Sequence, residues 1–449
     1  MSGINKKESV FLFFGDILIF VAALWLALTF RYWDIPTGKV FIVNLEPFAW
    51  VFLFWIISFY IAGLYEKHTT LFTRRLPESI GYALFLATLF SSFFFYIWPI
   101  SDLTPKTILV LTLVIVFGLT YIWRLFGHRL FWFKSSDNAL LVGQGPEMLQ
   151  LKEEIDNNPR YGLKFVSFID LNRMDQIDFQ KEILERVYSE GVEVVVADLR
   201  NDKVEKVLPH LYNLIFSKIR FVDFSKVYED VFDCVPIGFL RDGWLIENIS
   251  TQTSYVYLAW KRITDFTLAL ILLPILAVLI VLVWLAKKFE DNRPIFIFQE
   301  RVGQNGKLIK FIKFRTWLYD DAGDEEAKKN NHPTPIGNFM RKTRIDEVPQ
   351  IWNVLVGDAS FIGPRPEIPV LVRKYDAEIP YYNIRHLIKP GLSGWAQIYQ
   401  ENPPKRDVNF DDTKTKLSYD LYYVKNRSIL LDIKITLRTI KTLLSRSGK

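Results

Sequence analysis

Four long apolar runs crowd the first third of the chain: Val10 to Phe30, Pro47 to Leu64, Ile80 to Ile97 and Thr107 to Trp123. A bilayer core about 30 Å thick asks for roughly 20 residues of helix. The runs therefore predict a membrane α-helical bundle of four spans over residues 1–132. The first run has no small-residue cleavage site and continues into Arg31-Tyr32-Trp33, so it does not read as a signal peptide. Cations alternate in density along this region, with Lys6 and Lys7 before the first run, Arg74 and Arg75 between the second and third, and Arg124, Arg129 and Lys134 after the fourth. The positive-inside rule then puts the N-terminus and everything beyond Lys134 on the cytoplasmic side. Asp16 interrupts the first run, either as a functional acid or as a buried acid paired with a neighbouring helix.

A fifth run, Phe266 to Leu285, differs from these. Lys261 and Arg262 precede it, Lys287, Lys288 and Arg293 follow it, and Pro274 lies inside it. A crossing helix would carry one basic cluster to the far side, and proline removes a helical hydrogen bond. The pattern favours a re-entrant helix over 263–288, two half-helices broken at Pro274. The plainer alternative is a fifth span with a proline kink.

Between these regions the pattern becomes that of a soluble domain. Short β-rich runs at Asn138–Val142, Lys164–Ile169, Val192–Ala197 and Ile219–Phe224 alternate with charged helical stretches. That alternation predicts a parallel sheet in a Rossmann-like α/β domain over residues 133–250. The first strand runs into Gly143-Gln144-Gly145-Pro146, the start of a dinucleotide fingerprint, but Met148 stands at its third glycine position. Asp170 follows the second strand where a ribose-binding acid would stand.

Half of the residues are hydrophobic and the mean hydropathy is +0.14, too apolar for an ordinary soluble chain. The net charge of +6 excludes an acidic disordered chain and leaves room for an anionic partner. It divides unevenly: +3 over residues 1–132, −7 over 133–250 and +10 over 251–449. The anionic partner thus belongs to the last part. A single cysteine, Cys234, excludes a disulfide framework and a multi-cysteine zinc site, and fits a reducing compartment.

Residues 251–449 carry the candidate chemistry. Two short strands joined by Gln304-Asn305-Gly306 lead into Lys310-Phe-Ile-Lys313-Phe-Arg315-Thr316, where alternation puts Lys313 and Arg315 on one face. Two cations there suit a diphosphate or, equally, anionic lipid headgroups. Asp346 and Glu347 are adjacent, about 100° apart on a regular helix. One can serve as nucleophile and the other as metal ligand, or both can simply favour a helix N-terminus. Gly363-Pro364-Arg365-Pro366 holds an arginine between two prolines, a means of aiming a guanidinium at phosphate. Lys389-Pro390-Gly391-Leu-Ser393-Gly394-Trp395-Ala396-Gln397 adds a glycine-hinged loop with an aromatic ring and an amide.

From about Trp260 to the C-terminus the chain resembles the bacterial sugar transferases, monotopic phosphoglycosyl transferases that load a hexose-1-phosphate onto a polyprenyl phosphate. The resemblance rests on Lys313-Phe-Arg-Thr316, Asp346-Glu-Val-Pro-Gln350, Asn353-Val-Leu-x-Gly357-Asp358, Gly363-Pro-Arg-Pro366, Lys389-Pro-Gly391 and Tyr419-Asp420-x-Tyr422-Tyr423, in that order. Trp317, Ala359 and the Ile398-Tyr-Gln-Glu-Asn402 loop depart from the commoner family residues, the loop with a bearing on sugar choice. The resemblance implies a mixed α/β monotopic catalytic domain in a bacterial inner (cytoplasmic) membrane. It implies Asp346 as nucleophile, Glu347 as the holder of Mg2+, and Lys313, Arg315, Arg365 and Gln397 as substrate-binding residues. The implied partners are a UDP-sugar, a polyprenyl phosphate and membrane lipid, with no nucleic acid; a homo-oligomer is left open. Two other classes compete. A membrane-anchored NAD-dependent nucleotide-sugar dehydratase or epimerase needs an intact glycine fingerprint and a Tyr-x-x-x-Lys base, for which Tyr257 and Lys261 offer the spacing. A non-enzymatic membrane scaffold needs the C-terminal acids to be structural.

Overall fold

The computed structural model describes residues 2–65, 76–97, 105–131, 136–158, 161–171, 185–198, 201, 204, 219–249, 255–290, 293–318, 332–400 and 409–444. Arg74, Arg75 and Lys134, on which the orientation partly rests, lie outside these residues, as does Asn402. The chain divides into two compact units, residues 1–232 and, apart from the last few residues, 233–449.

The apolar runs become helices α1 (Ser2–Tyr32), α2 (Gly38–Ile61), α3 (Leu76–Ile97) and α4 (Pro105–Phe131). All four are long and apolar enough to cross a membrane. Their shared core gathers Phe20, Phe48, Trp55, Phe59, Ile80 and Ala87. Polar groups inside it find partners on neighbouring helices: Trp55 Nε1 donates to Ser91 Oγ at 2.8 Å. Asp16, fully buried, accepts from Arg124 of α4 and from the Tyr65 hydroxyl. The first run's acid is therefore the paired kind, since a lone carboxylate is costly in hydrocarbon.

The middle segment forms a parallel sheet of β1 (Asp137–Gly143), β2 (Leu163–Asp170), β3 (Val194–Ala197) and β4 (Arg220–Asp223), in the order β2-β1-β3-β4. Helix α5 (Pro146–Asn157) follows β1 and α6 (Phe224–Phe232) follows β4. The Gly143 turn is filled from within, because a Cβ built on Gly143 would lie 1.9 Å from the Met148 methyl carbon. At Gly145, with φ of +103°, the nearest side-chain atom is a Glu147 carboxylate oxygen. A carboxylate at this helix start stands where a dinucleotide phosphate would have to go.

Residues 233–249, placed with the middle domain by their sequence, bury Val235, Trp244 and Leu245 in the second unit's core with Val302, Tyr375, Tyr382 and Leu421. Helix α7 (Asp242–Asn248) lies in this stretch. Next comes α8 (Tyr255–Glu290), 36 residues long and continuous through Pro274, so the two expected half-helices are not separate elements. The buried stripe of α8 is narrow: Tyr257, Asp265 and Lys287 are buried, as are Ala269, Leu276 and Val283, which pack with Ile309, Phe311, Phe314 and Met340. Phe266, Leu270, Ile271, Ile275, Val278 and Leu282 are exposed. The rest of the unit comprises the antiparallel hairpin β5 (Phe296–Val302) and β6 (Leu308–Phe314), helices α9 (Pro335–Thr343), α10 (Ile351–Val356) and α11 (Pro369–Glu378), and the parallel pair β7 (Ser360–Ile362) and β8 (Gly391–Ser393). Helices α12 (Trp395–Tyr399), α13 (Phe410–Asn426) and α14 (Ile429–Leu444) complete it.

Candidate active site

Asp346 and Glu347 sit in the first turn of a six-residue 3-10 helix, Ile345–Gln350, rather than on a regular α-helix. Arg344 separates it from α9 with left-handed backbone (φ 59°, ψ 15°), a conformation that costs a side-chain-bearing residue roughly 1 kcal/mol. The reversal lets two short helices meet at an angle at the acid pair. On the far side, Asn353 locks α10 to the hairpin: its side-chain amide donates to Lys310 O and accepts from Ile312 N, as a neighbouring strand would. The Asn-Val-Leu motif thus places β6 beside the acids.

The two carboxylates have opposite surroundings. Glu347 Oε1 accepts from Lys313 Nζ at 2.9 Å and from Arg365 at 2.9 Å. Burial disfavours its charge, but Arg365 and Lys313 outweigh that and hold its pKa at about 2. Asp346 has neither cation as a contact. Burial first, and the charge of Glu347 second, push it above the usual aspartate range, against the pull of Lys313 and Arg344. Its Oδ1 is buried without a hydrogen-bond partner. A pair of acids driven apart in this way is a signature of divided chemical roles. One is a fixed anion that keeps two cations in place. The other keeps an uncommitted oxygen.

Arg365 is aimed from behind. Its carbonyl accepts from Arg385 Nη2 at 2.8 Å, and Arg385 is buried, ion-paired to Asp420 at 2.8 Å and hydrogen-bonded to the Tyr382 hydroxyl at 2.7 Å. Glu367, two residues past Arg365, pairs with Lys416. This platform of Glu367, Arg385, Lys416 and Asp420 went unmarked in the sequence except for Asp420, which the Tyr419-Asp420 motif contains. Its members are single charges scattered over 54 positions, and no local pattern distinguishes them from solvated ones. The Gly-Pro-Arg-Pro turn also meets the Lys-Pro-Gly loop through bare backbone. A Cβ on Gly391 would lie 2.0 Å from Gly363 N, and one on Gly394 would lie 2.3 Å from Gly363 O.

Of the other residues picked from sequence, Arg315 is placed elsewhere. Strand β6 ends at Phe314, and the Arg315 guanidinium and Nε donate to the carbonyls of Pro294, Trp317 and Leu318. Gln397 lies in α12 behind Gly394, its Oε1 buried without a donor. Tyr257 and Lys261 both bond Asp432, and Lys261 also reaches the Tyr423 hydroxyl, so this Tyr-x-x-x-Lys pair ties α8 to α14.

Among the described residues no group of three or more His, Cys, Asp or Glu gathers into a metal site. The donor set at Asp346 and Glu347 nevertheless suits magnesium, which commonly takes one or two protein carboxylates and completes its shell with substrate phosphates and water. Glu347 spends Oε1 on both cations, so its second oxygen is the acceptor such an ion would use, with Asp346 Oδ1 left for substrate.

The family model described as bacterial sugar transferase matches residues 256–446. A UDP-N-acetylgalactosamine-undecaprenyl-phosphate N-acetylgalactosaminephosphotransferase of Aeromonas hydrophila is 35% identical over 260 residues, 57% of this chain and 60% of that protein. A UDP-glucose:undecaprenyl-phosphate glucose-1-phosphate transferase of Xanthomonas campestris pv. campestris is 30% identical, over 67% of this chain and 65% of its own. One of the same description from Caulobacter vibrioides is 34% identical, over 41% of this chain and 70% of its own. The chain therefore spans a little under two thirds of the first two relatives.

Proposed function

We propose, on the premise that this chain belongs to the bacterial sugar transferase family, that it moves a hexose-1-phosphate from a UDP-sugar to a polyprenyl (undecaprenyl) phosphate, the first step in assembling an exopolysaccharide, capsule or O-antigen unit. The observation that carries this reading is the divided acid pair. Asp346 Oδ1 attacks the sugar-linked phosphorus of the donor, an Oδ–P bond forms, and the P–O bond to the nucleotide phosphate breaks, releasing UMP. An oxygen of the polyprenyl phosphate then attacks the same phosphorus, the Oδ–P bond breaks, and the Asp346 carboxylate returns. Lys313 and Arg365, pinned by Glu347, meet the phosphate charge, and little reorganisation is needed as it shifts. Glu347 would hold Mg2+, which when bound neutralises phosphate charge.

The acceptor is a lipid and the donor is in water, so the reaction has to take place at a membrane surface. Helix α8, continuous through Pro274, supports a monotopic seat on one membrane surface. Near its start, Arg262 donates to Val354 O and Leu355 O, and near its end Lys287 bonds Thr334 while Glu290 accepts from Ile336 N. Both ends are tied to one catalytic unit while the flank between them is exposed and apolar. A helix of this length, about 54 Å if straight, cannot cross the bilayer and keep both ends on one soluble domain. We read α1–α4 as four spans of the inner membrane, the catalytic unit as cytoplasmic, and the middle sheet as a Rossmann-like domain with its phosphate turn closed. Cysteines introduced at Lys307 or Arg293 and labelled from the cell exterior would defeat this topology.

The covalent step is tested by Asp346→Asn with UMP release as the readout. The expected loss is at least about a thousandfold, with no labelled enzyme after incubation with a donor carrying 32P in the sugar-linked phosphate. Wild-type turnover in that variant sinks the mechanism.

A further inference from the structure

One half-buried cation near the acid pair makes no ion pair among the described residues. Beside the exposed Arg344, the acid pair and the platform behind it have five buried or half-buried cations, Arg301, Lys313, Arg365, Arg385 and Lys416, and four carboxylates, Asp346, Glu347, Glu367 and Asp420. Glu347 is taken by Lys313 and Arg365, Glu367 by Lys416 with Arg385 at 4.0 Å, and Asp420 by Arg385. Arg301 is left over. Its guanidinium donates to the Gln299 side-chain carbonyl at 3.0 Å, and it makes no ion pair among the described residues.

Geometry places it at the site. In the β5–β6 register Arg301 stands opposite Ile309 and Lys313 opposite Ile297, with Gln299 and Phe311 between them, so both cations share one face of the hairpin. Phe311 is buried beneath that face. Arg301 lies within electrostatic reach of Glu347, Glu367 and Arg365, and burial lowers its pKa ahead of any opposing help from Glu367. A partly buried guanidinium without a carboxylate is costly to keep, and its planar fork matches phosphate oxygens.

We propose that Arg301 binds the diphosphate of the nucleotide donor, as a third substrate cation beside Lys313 and Arg365. The donor brings both charged phosphates from solution, whereas the acceptor meets one already held on Asp346, and the surplus cation on the hairpin answers the donor's nucleotide-side phosphate. The proposal rests on the donor-first reading above.

A two-stage reaction separates the outcomes, because kcat/KM for the donor then reports only the steps through UMP release. For Arg301→Met, kcat/KM for the UDP-sugar should fall about 10- to 100-fold, while kcat/KM for polyprenyl phosphate stays within about twofold of wild type. Arg301→Lys, which keeps the charge and loses the fork, should show a smaller loss on the donor side alone. Without ligand the Met variant should melt no lower than wild type, since it loses an uncompensated charge, yet the rise in Tm that UDP causes in the wild type should vanish. A loss confined to the acceptor side, equal losses on both sides, an intact UDP shift or a lowered ligand-free Tm overturns the proposal. Failure of the donor-first reading shows instead in the wild type, as intersecting rather than parallel initial-velocity lines. The UDP shift needs no turnover and still reports on Arg301 in that case.

Discussion

Two places in this chain look from their sequence as though they cradle phosphate, and they turn out as opposites. At Gly143-Gln-Gly145 the turn, the following helix and the parallel strand are all present, yet Met148 fills the space over Gly143 and Glu147 brings a negative charge to Gly145. At the hairpin and the Gly-Pro-Arg-Pro turn no glycine loop wraps a helix start, but Lys313, Arg365 and Arg301 converge with a surplus of positive charge. Backbone shape alone does not make an anion site. What counts is whether neighbouring side chains leave the space empty and the charge uncompensated.

This contrast can be broken most forcefully at Lys313. Lys313→Met removes a pinned cation from the site and should lower turnover about a hundredfold, measured as UMP release at saturating donor. A wild-type rate would mean that the cluster is structural after all.

The acid limb of the pH profile is a finer probe. Asp346 must be ionised to attack, and burial together with Glu347 keeps its proton bound at higher pH than an ordinary aspartate does, so kcat/KM for the donor should fall off on acidification above the usual carboxylate range. Lys313→Met removes a charge that favours the ionised form, so the limb moves to higher pH. Glu347→Gln removes a charge that opposes it, so the limb moves to lower pH. Movement in the same direction in both variants would show that the limb belongs to another group.

The smallest effect on activity belongs to the other turn. Met148→Ala should cost stability by about 2–5 kcal/mol, since it empties a fully buried position, with turnover per folded molecule unchanged. Calorimetric titration of that variant with NAD should still show no binding, because Glu147 stays at the helix start. NAD binding by either protein would restore the dehydratase or epimerase class.

Much of the catalytic face was legible beforehand because its residues lie in short, unusual strings. An arginine between two prolines is an unusual way to hold a solvated charge, and an Asp-Glu pair gains meaning from such neighbours; the structure brings Arg365, Lys313 and Glu347 into contact. Arg315 shows where such reading fails. Alternation predicts 313 and 315 on one side, but the strand ends at Phe314 and the guanidinium turns to three carbonyls. The Arg385 platform was illegible for a different reason: it is assembled from the turn before α11, the 3-10 helix Tyr382–Leu387 and α13, and ion pairing across such distances leaves no local trace. Pro274 signalled a break, yet the helix continues through it, since the lost hydrogen bond is one of many in a 36-residue helix.

The sequence by itself determined what depends on runs and neighbours: which segments are apolar enough for a membrane, where strands alternate with helices, and which motifs carry acids beside cations. Only the tertiary structure decided which charges cancel. Around the acid pair and its platform it shows Lys313, Arg365, Arg385 and Lys416 spent on carboxylates and the half-buried Arg301 not, and it leaves Asp346 with an unpartnered oxygen while Glu347 is held. Charge compensation depends on distances of a few ångströms between residues far apart in the chain, and those distances exist only once the hairpin, the 3-10 turn and the platform behind Arg365 have packed together.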